Sequence, residues 1–296
     1  MPRRTAPAPL LVLAAVASVQ SGAAVAKDLF PDAGPGGAVL LRIGIAAVLL
    51  LAVARPRVVS RRRSDLALAV AFGLVLAAMN ATFYYALDRI PLGLAVTFEF
   101  VGPLAVAIGG SRRLLDLLWV ALAAVGVILL TGDSGGHLDA LGVVLAFVAG
   151  GFWAAYILLS QRVGRVFPGA AGLTIALVAG TIALLPVGLV SAGGRLLDGS
   201  VLWRGLVVAL LSSALPYSLE LYALRRLRAS VFGVLMSLEP AFAAASGLLF
   251  LGEHLRVAEW IAVGCVVAAS VGATRRTDAE DVPIDPAATP PELVSP

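Results

Sequence analysis

The sequence is a succession of apolar runs, each about the length of a membrane helix, separated by short polar breaks. A transmembrane helix needs roughly 20 mostly apolar residues, within a range of about 17–25. Ten runs meet that requirement: 9–26, 38–54, 66–87, 92–111, 114–131, 140–160, 170–192, 202–221, 229–251 and 257–274. The Pro- and Gly-rich stretch 30–37 and the Gly-rich stretch 132–136 read as turns, and the tail 275–296 reads as disordered. Composition agrees: 60% of residues are hydrophobic and 14% charged, against roughly 25% charged in soluble domains. Lipid must be the main solvent of such a chain.

Basic residues test the count independently, because Lys and Arg gather on the cytoplasmic side of a membrane. With the N-terminus inside, 16 of the 22 Lys and Arg fall on inside segments. The other 6 are Lys27, Arg42, Arg89, Arg195, Arg204 and Arg256. Every inside loop carries at least two, so an error of one helix in the middle of the chain breaks the pattern. The expectation is an all-α membrane protein of ten transmembrane helices with both termini cytoplasmic. Arg3 and Arg4, followed by an apolar stretch and Ala24-Val25-Ala26, also fit a cleavable signal peptide; the repeat below favours a retained first helix.

Tyr85-Ala86-Leu87-Asp88-Arg89-Ile90 leads through a helix to Gly102-Pro103, and Tyr222-Ala223-Leu224-Arg225-Arg226-Leu227 leads to Glu239-Pro240, at a constant offset of 137 residues. This divides the chain into a first repeat, 8–134, and a second, 137–274. Five helices is an odd number, so the second copy enters the membrane from the opposite face. Two inverted five-helix repeats are the architecture of many secondary transporters, with the solute site near the midplane between them. Transport of a small molecule across the bilayer is the expected function.

A charged side chain inside a membrane helix is costly and usually faces the bundle interior. Glu99 is placed about eight residues into the fourth run, roughly 12 Å deep. Pro103 follows it by four residues and is expected to kink the helix. Glu239 and Pro240 repeat the combination near the middle of the ninth run, and Pro216 is a third kink candidate. Either glutamate could bind a substrate ammonium or carry a coupling proton, or could serve as a protonated interhelix contact. Arg42, one turn inside the second run, could meet Glu99 or a substrate carboxylate, or could reach the headgroups. Lys27 is expected to snorkel, and Glu220 to meet Arg225 or Arg226 or the substrate.

Asn80 and Tyr84 share a face of the third helix, and Trp153 and Tyr156 could wall the same cavity from the sixth. The chain has a single cysteine, Cys265, so no intrachain disulfide forms. Its two histidines, His137 and His254, stand far apart, and no metal-ligand spacing or cofactor motif is present. No nucleic-acid motif appears, and little soluble mass remains to house an enzyme. The sequence does not specify an oligomeric state.

Several stretches resemble the EamA-type branch of the drug/metabolite transporter superfamily. They include Ser18-Val19-Gln20-Ser21-Gly22-Ala23, Leu41-Arg42, Met79-Asn80, Pro91-Leu92-Gly93-Leu94-Ala95-Val96, Glu99-Phe100-Val101-Gly102-Pro103, Ala214-Leu215-Pro216-Tyr217-Ser218-Leu219-Glu220 and Met236-Ser237-Leu238-Glu239-Pro240-Ala241. Within that branch the chain looks most like bacterial exporters of threonine and homoserine. The resemblance implies ten helices in two EamA repeats, the inner membrane of a bacterium and efflux of small amino acids by alternating access, with proton coupling open. Another metabolite or a drug is the alternative cargo. It also adds Tyr217 to Arg42, Asn80, Glu99, Glu220 and Glu239 as site candidates.

Overall fold

The computed structural model describes residues 8–54, 62–109, 138–167, 170–216 and 229–277, with isolated positions in 121–126 and 219–227. Among these residues the chain is all helical. Six helices are long and apolar enough to cross a membrane: Ala8–Asp28, Phe30–Val53, Arg63–Leu87, Ala140–Val166, Ala171–Leu197 and Val231–Leu251. Three shorter apolar segments accompany them: Leu92–Val106, Gly199–Ser213 and Val257–Gly272. The protein is a multi-pass membrane protein. Large apolar side chains such as Val53, Val190 and Leu249 stand 76–88% exposed, as the surface of a membrane-embedded bundle allows. Most of the expected fifth run, 114–131, and the tail beyond 277 lie outside the described residues.

The elements are α1 (Ala8–Asp28), α2 (Phe30–Ala54), α3 (Arg63–Leu87), α4 (Leu92–Glu99), α5 (Val101–Gly109), α6 (Ala140–Val166), α7 (Ala171–Ala192), α8 (Gly199–Ala209), α9 (Ala229–Met236), α10 (Glu239–Leu251) and α11 (Val257–Thr277). A π-helical segment, Leu210–Ala214, continues α8. The extensive packing joins the front of the chain to its back: α2 lies along α7, α3 between α6 and α7, and α1 and α4 against α10.

The stretch 30–37 is not the expected turn. It is the kinked start of α2, where Gly34 takes φ 64° and Pro35 follows. Glycine adopts this backbone without a Cβ penalty, and proline tolerates the first turn of the helix that resumes after it. The fourth and ninth runs are each broken in mid-course. Pro103 has no N–H to give the Glu99 carbonyl, so α4 stops at Glu99 and α5 restarts at Val101. Pro240 likewise stands just inside the start of α10. The short helices α4 and α9 have eight residues each, offset by 137 at both ends.

At the freed Glu99 carbonyl, α6 comes unusually near. A Cβ on Gly150 would lie 2.5 Å from the Glu99 carbonyl oxygen, and one on Gly102 would overlap the Gly150 backbone. The two chains therefore touch backbone to backbone, and only glycine permits it.

At one end of the bundle, a chain of polar contacts links segments distant in sequence. Lys27 Nζ meets Glu253 Oε1 at 2.6 Å and the Ile90 carbonyl at 2.9 Å. Glu253 Oε2 also accepts from the Leu92 N–H, capping α4. Arg89 reaches Asp139 at 2.8 Å, and Arg204 bonds Asp32. Lys27 was expected to snorkel. It is instead held by a carboxylate from the far end of the sequence.

Candidate functional site

The broken helices wall a cavity of about 250 Å³ in the interior of the bundle. Glu99, the last residue of α4, and Glu239, the first of α10, both line it and are both buried. Both lie at proline-associated breaks: Pro103, one turn on, leaves α4 ending at Glu99, and Pro240 stands in the first turn of α10, just after Glu239. Glu99 lies within electrostatic reach of Glu239 and Arg42. Two acidic groups and a guanidinium thus share one low-dielectric space, where charges interact more strongly than in water.

Arg42 lines this cavity from α2 instead of extending to the headgroups. Its Nη1 donates to the Tyr84 hydroxyl at 3.3 Å, and its guanidinium carbon stands 5.7 Å from the Tyr84 ring centroid. Tyr84 is completely buried and also packs on Phe30, at 5.7 Å between centroids. Tyr84, a candidate for the wall, does not line the cavity; its hydroxyl and ring contact Arg42.

Asn80, Trp153 and Tyr156 line the cavity, as expected for a shared wall. Asn80 Nδ2 donates to the Leu76 carbonyl at 2.9 Å. Trp153 meets Phe100 edge to face at 5.5 Å, and Tyr156 stacks on Phe72 at 5.1 Å. These contacts join the aromatic wall to α3 and to the α4–α5 break. Tyr217 and Glu220 lie outside the described residues.

Pro216 also lines the cavity. It has no N–H for the carbonyl one turn back, and the segment just before it is π-helical, with Leu215 N bonding Leu210 O. Such segments recur at functional sites. Here the segment brings Ser212 and Ser213 to the cavity, joined by Gln20 from α1. None of these three is among the candidates read from the sequence. Gln20 carried a signal, being a polar amide in the middle of an apolar helix; the serines carried none, because nothing in the sequence marks a π segment.

The residues present can bind a small solute with both charge signs: a cationic group near the glutamates and an anionic one near Arg42. Among the described residues no group of three or more His, Cys, Asp or Glu is placed to hold a metal.

Comparison with known proteins identifies the scaffold. The EamA-like transporter family profile matches residues 140–275. The threonine/homoserine exporter RhtA of Salmonella typhimurium is 44% identical over 270 residues, covering 90% of this chain and 90% of that protein. This chain belongs to the EamA-like transporter family. The threonine/homoserine exporter RhtA of Escherichia coli matches at the same identity and coverage. The uncharacterized transporter YwfM of Bacillus subtilis is 28% identical over 53% of this chain and 54% of its own length. One protein crystal structure superposes with a TM-score of 0.63 at 17% identity, covering 92% of this chain and 98% of that one; it shares the fold. The relatives of this EamA protein are transporters, not enzymes.

Proposed function

We propose that this protein exports small amino acids of the threonine and homoserine type across the bacterial inner membrane by alternating access. The observation that carries this reading is that Arg42, Glu99 and Glu239 line one interior cavity. A zwitterion presents its carboxylate to the guanidinium and its ammonium to a glutamate. The relatives at 44% identity are named threonine/homoserine exporters. Size argues the same way: about 250 Å³ is below the roughly 300–1,000 Å³ of drug-sized pockets. That disfavours the alternative of a bulky drug as cargo.

The reading includes ten helices in two inverted repeats, 8–134 and 137–274, with both termini cytoplasmic. The matched breaks at Glu99 and Met236, offset by 137 residues, support it, as does the distribution of basic residues. On that topology the end carrying Lys27, Glu253, Arg89 and Asp139 is the outer one, and its ion pairs hold the outer gate closed. Coupling to protons is part of the proposal. With both glutamates ionised the wall holds two negative charges and one positive, so a proton on either balances it before or after the substrate leaves.

Counterflow in proteoliposomes tests the whole reading. Labelled threonine and homoserine should exchange, and drugs or polyamines should not compete. Glu99→Gln and Glu239→Gln should abolish exchange or flatten its dependence on pH. Unchanged exchange and pH dependence in both variants would remove the two glutamates from the mechanism. Exchange of a drug or polyamine but no amino acid would replace the cargo.

A further inference from the structure

Two buried polar atoms lie in the cavity wall without a hydrogen-bond partner among the described residues: Gln20 Oε1 and Ser212 Oγ. Gln20 is 2% exposed and Ser212 3%, and both side chains line the cavity shared by Arg42, Glu99 and Glu239. A buried polar atom left unpaired is expensive, and such orphans in a native fold call for an explanation.

Their positions are built. Ser18 Oγ donates to the Leu211 carbonyl at 2.7 Å, fastening α1 to the π segment. One turn further along α1, Gly22 approaches Ser212 so closely that a Cβ would collide with its Oγ. The helix and the π segment are thus held in one register, which fixes the backbone positions from which both side chains extend.

Resting on the proposed export of amino acids, we infer that Gln20 and Ser212 form a subsite that reads a hydroxyl on the substrate side chain. The carboxylate and the ammonium already have charged counterparts in Arg42 and the glutamates, which leaves the neutral pair for a neutral polar group. A hydroxyl has one proton to donate and lone pairs to accept. It donates to the Gln20 amide oxygen and accepts from the Ser212 hydroxyl, satisfying both orphans at once. An apolar side chain of the same shape leaves both unpaired. Sites built around a substrate hydroxyl reject the analogue lacking it far more strongly than an apolar pocket rejects an added methylene.

The test uses isosteric pairs on the full-length protein in proteoliposomes: threonine against valine, and homoserine against norvaline. The wild type should prefer the hydroxylated member of each pair by tenfold or more. Gln20→Met and Ser212→Ala should each cut that preference by about tenfold, weakening the hydroxylated member and not its apolar isostere, for which the variant removes a stranded polar atom. A wild-type preference near one overturns the subsite, and this arm needs no variant to fold. Equal weakening of both members in the variants also overturns it, because that is what general damage to the cavity gives. Export of amino acids with no hydroxyl preference leaves the proposed function standing. Failure of the wild type to exchange any amino acid overturns that function and this subsite together.

Discussion

Lys27 and Glu253 are 226 residues apart in the sequence, yet Lys27 Nζ lies 2.6 Å from Glu253 Oε1. The pair ties the end of α1 to the turn after α10, and Glu253 simultaneously caps α4. Their side chains are 22% and 14% exposed, between a surface pair worth about 0–1 kcal/mol and a buried one whose disruption costs about 3–5 kcal/mol. On the proposed topology, Glu253→Gln should destabilise the outer-closed state by about 1–2 kcal/mol. A cysteine placed at Ala46 in the cavity wall, with Cys265 replaced by alanine, reports this. An impermeant thiol reagent added to intact cells should label it about 5- to 30-fold faster in the Glu253→Gln background. Equal labelling rates would show that the pair holds the fold and not the gate.

On the proposed function, Tyr84 would act on the substrate through Arg42, which it contacts by hydroxyl and ring. Tyr84→Phe removes the hydroxyl that accepts from Arg42 Nη1 and keeps the ring beneath the guanidinium. Losing one such bond weakens positioning by about 0.5–1.5 kcal/mol. The KM for exchange should therefore rise by about 2- to 12-fold, with little change in maximal rate. Tyr84→Ala, which also removes the ring, should weaken binding further. Counterflow at varied substrate concentration separates the two parameters, and a change confined to maximal rate would contradict the positioning role.

Two adjacent glycines on α6 should respond with opposite signs. A Cβ on Gly150 would press on the Glu99 backbone, whereas one on Gly151 would meet nothing within 4 Å. Gly150→Ala should lower stability by about 1–3 kcal/mol through overpacking. Gly151→Ala should raise it by about 0.5–1 kcal/mol, because alanine loses less conformational freedom in a helix. Thermal unfolding of the purified variants measures both, and a Gly150→Ala variant as stable as the wild type would refute the backbone contact.

Some of this architecture was legible from residue type alone. Glu99 and Glu239 stood out because a charge inside an apolar run must have a reason, and the prolines beside them announced the breaks. Arg42 was visible for the same cause, although its partner was not. Tyr84 was placed on the correct helix, but whether an aromatic ring faces a cavity or stands behind a guanidinium depends on packing. The salt bridge of Lys27 could not be read at all, since nothing local marks a partner 226 residues away. Ser212 was invisible for another reason: a π segment shifts which side chains face inward, and apolar periodicity does not encode it.

Asp139 offers a pH readout outside the membrane-spanning segments. Its carboxylate caps α6 by accepting from Leu141 and Gly142, and it pairs with Arg89 at 2.8 Å. The hydrogen bond from Arg89, followed by that from the Gly142 backbone, holds its pKa below the ordinary value of 3.8. Because the folded pKa is depressed, the unfolded chain takes up a proton first as pH falls. The stabilisation from Asp139 is therefore complete above the unfolded pKa of about 3.9. It disappears as pH drops through the lower folded value. Asp139→Asn cannot titrate, so the gap in melting temperature between the wild type and this variant should be constant from pH 8 to about 5 and close below about 4. High salt should narrow the gap near neutral pH, since both partners are solvent-accessible and screening weakens the pair. A gap that stays constant down to pH 3 would mean that Asp139 contributes through its shape as a cap and not through its charge.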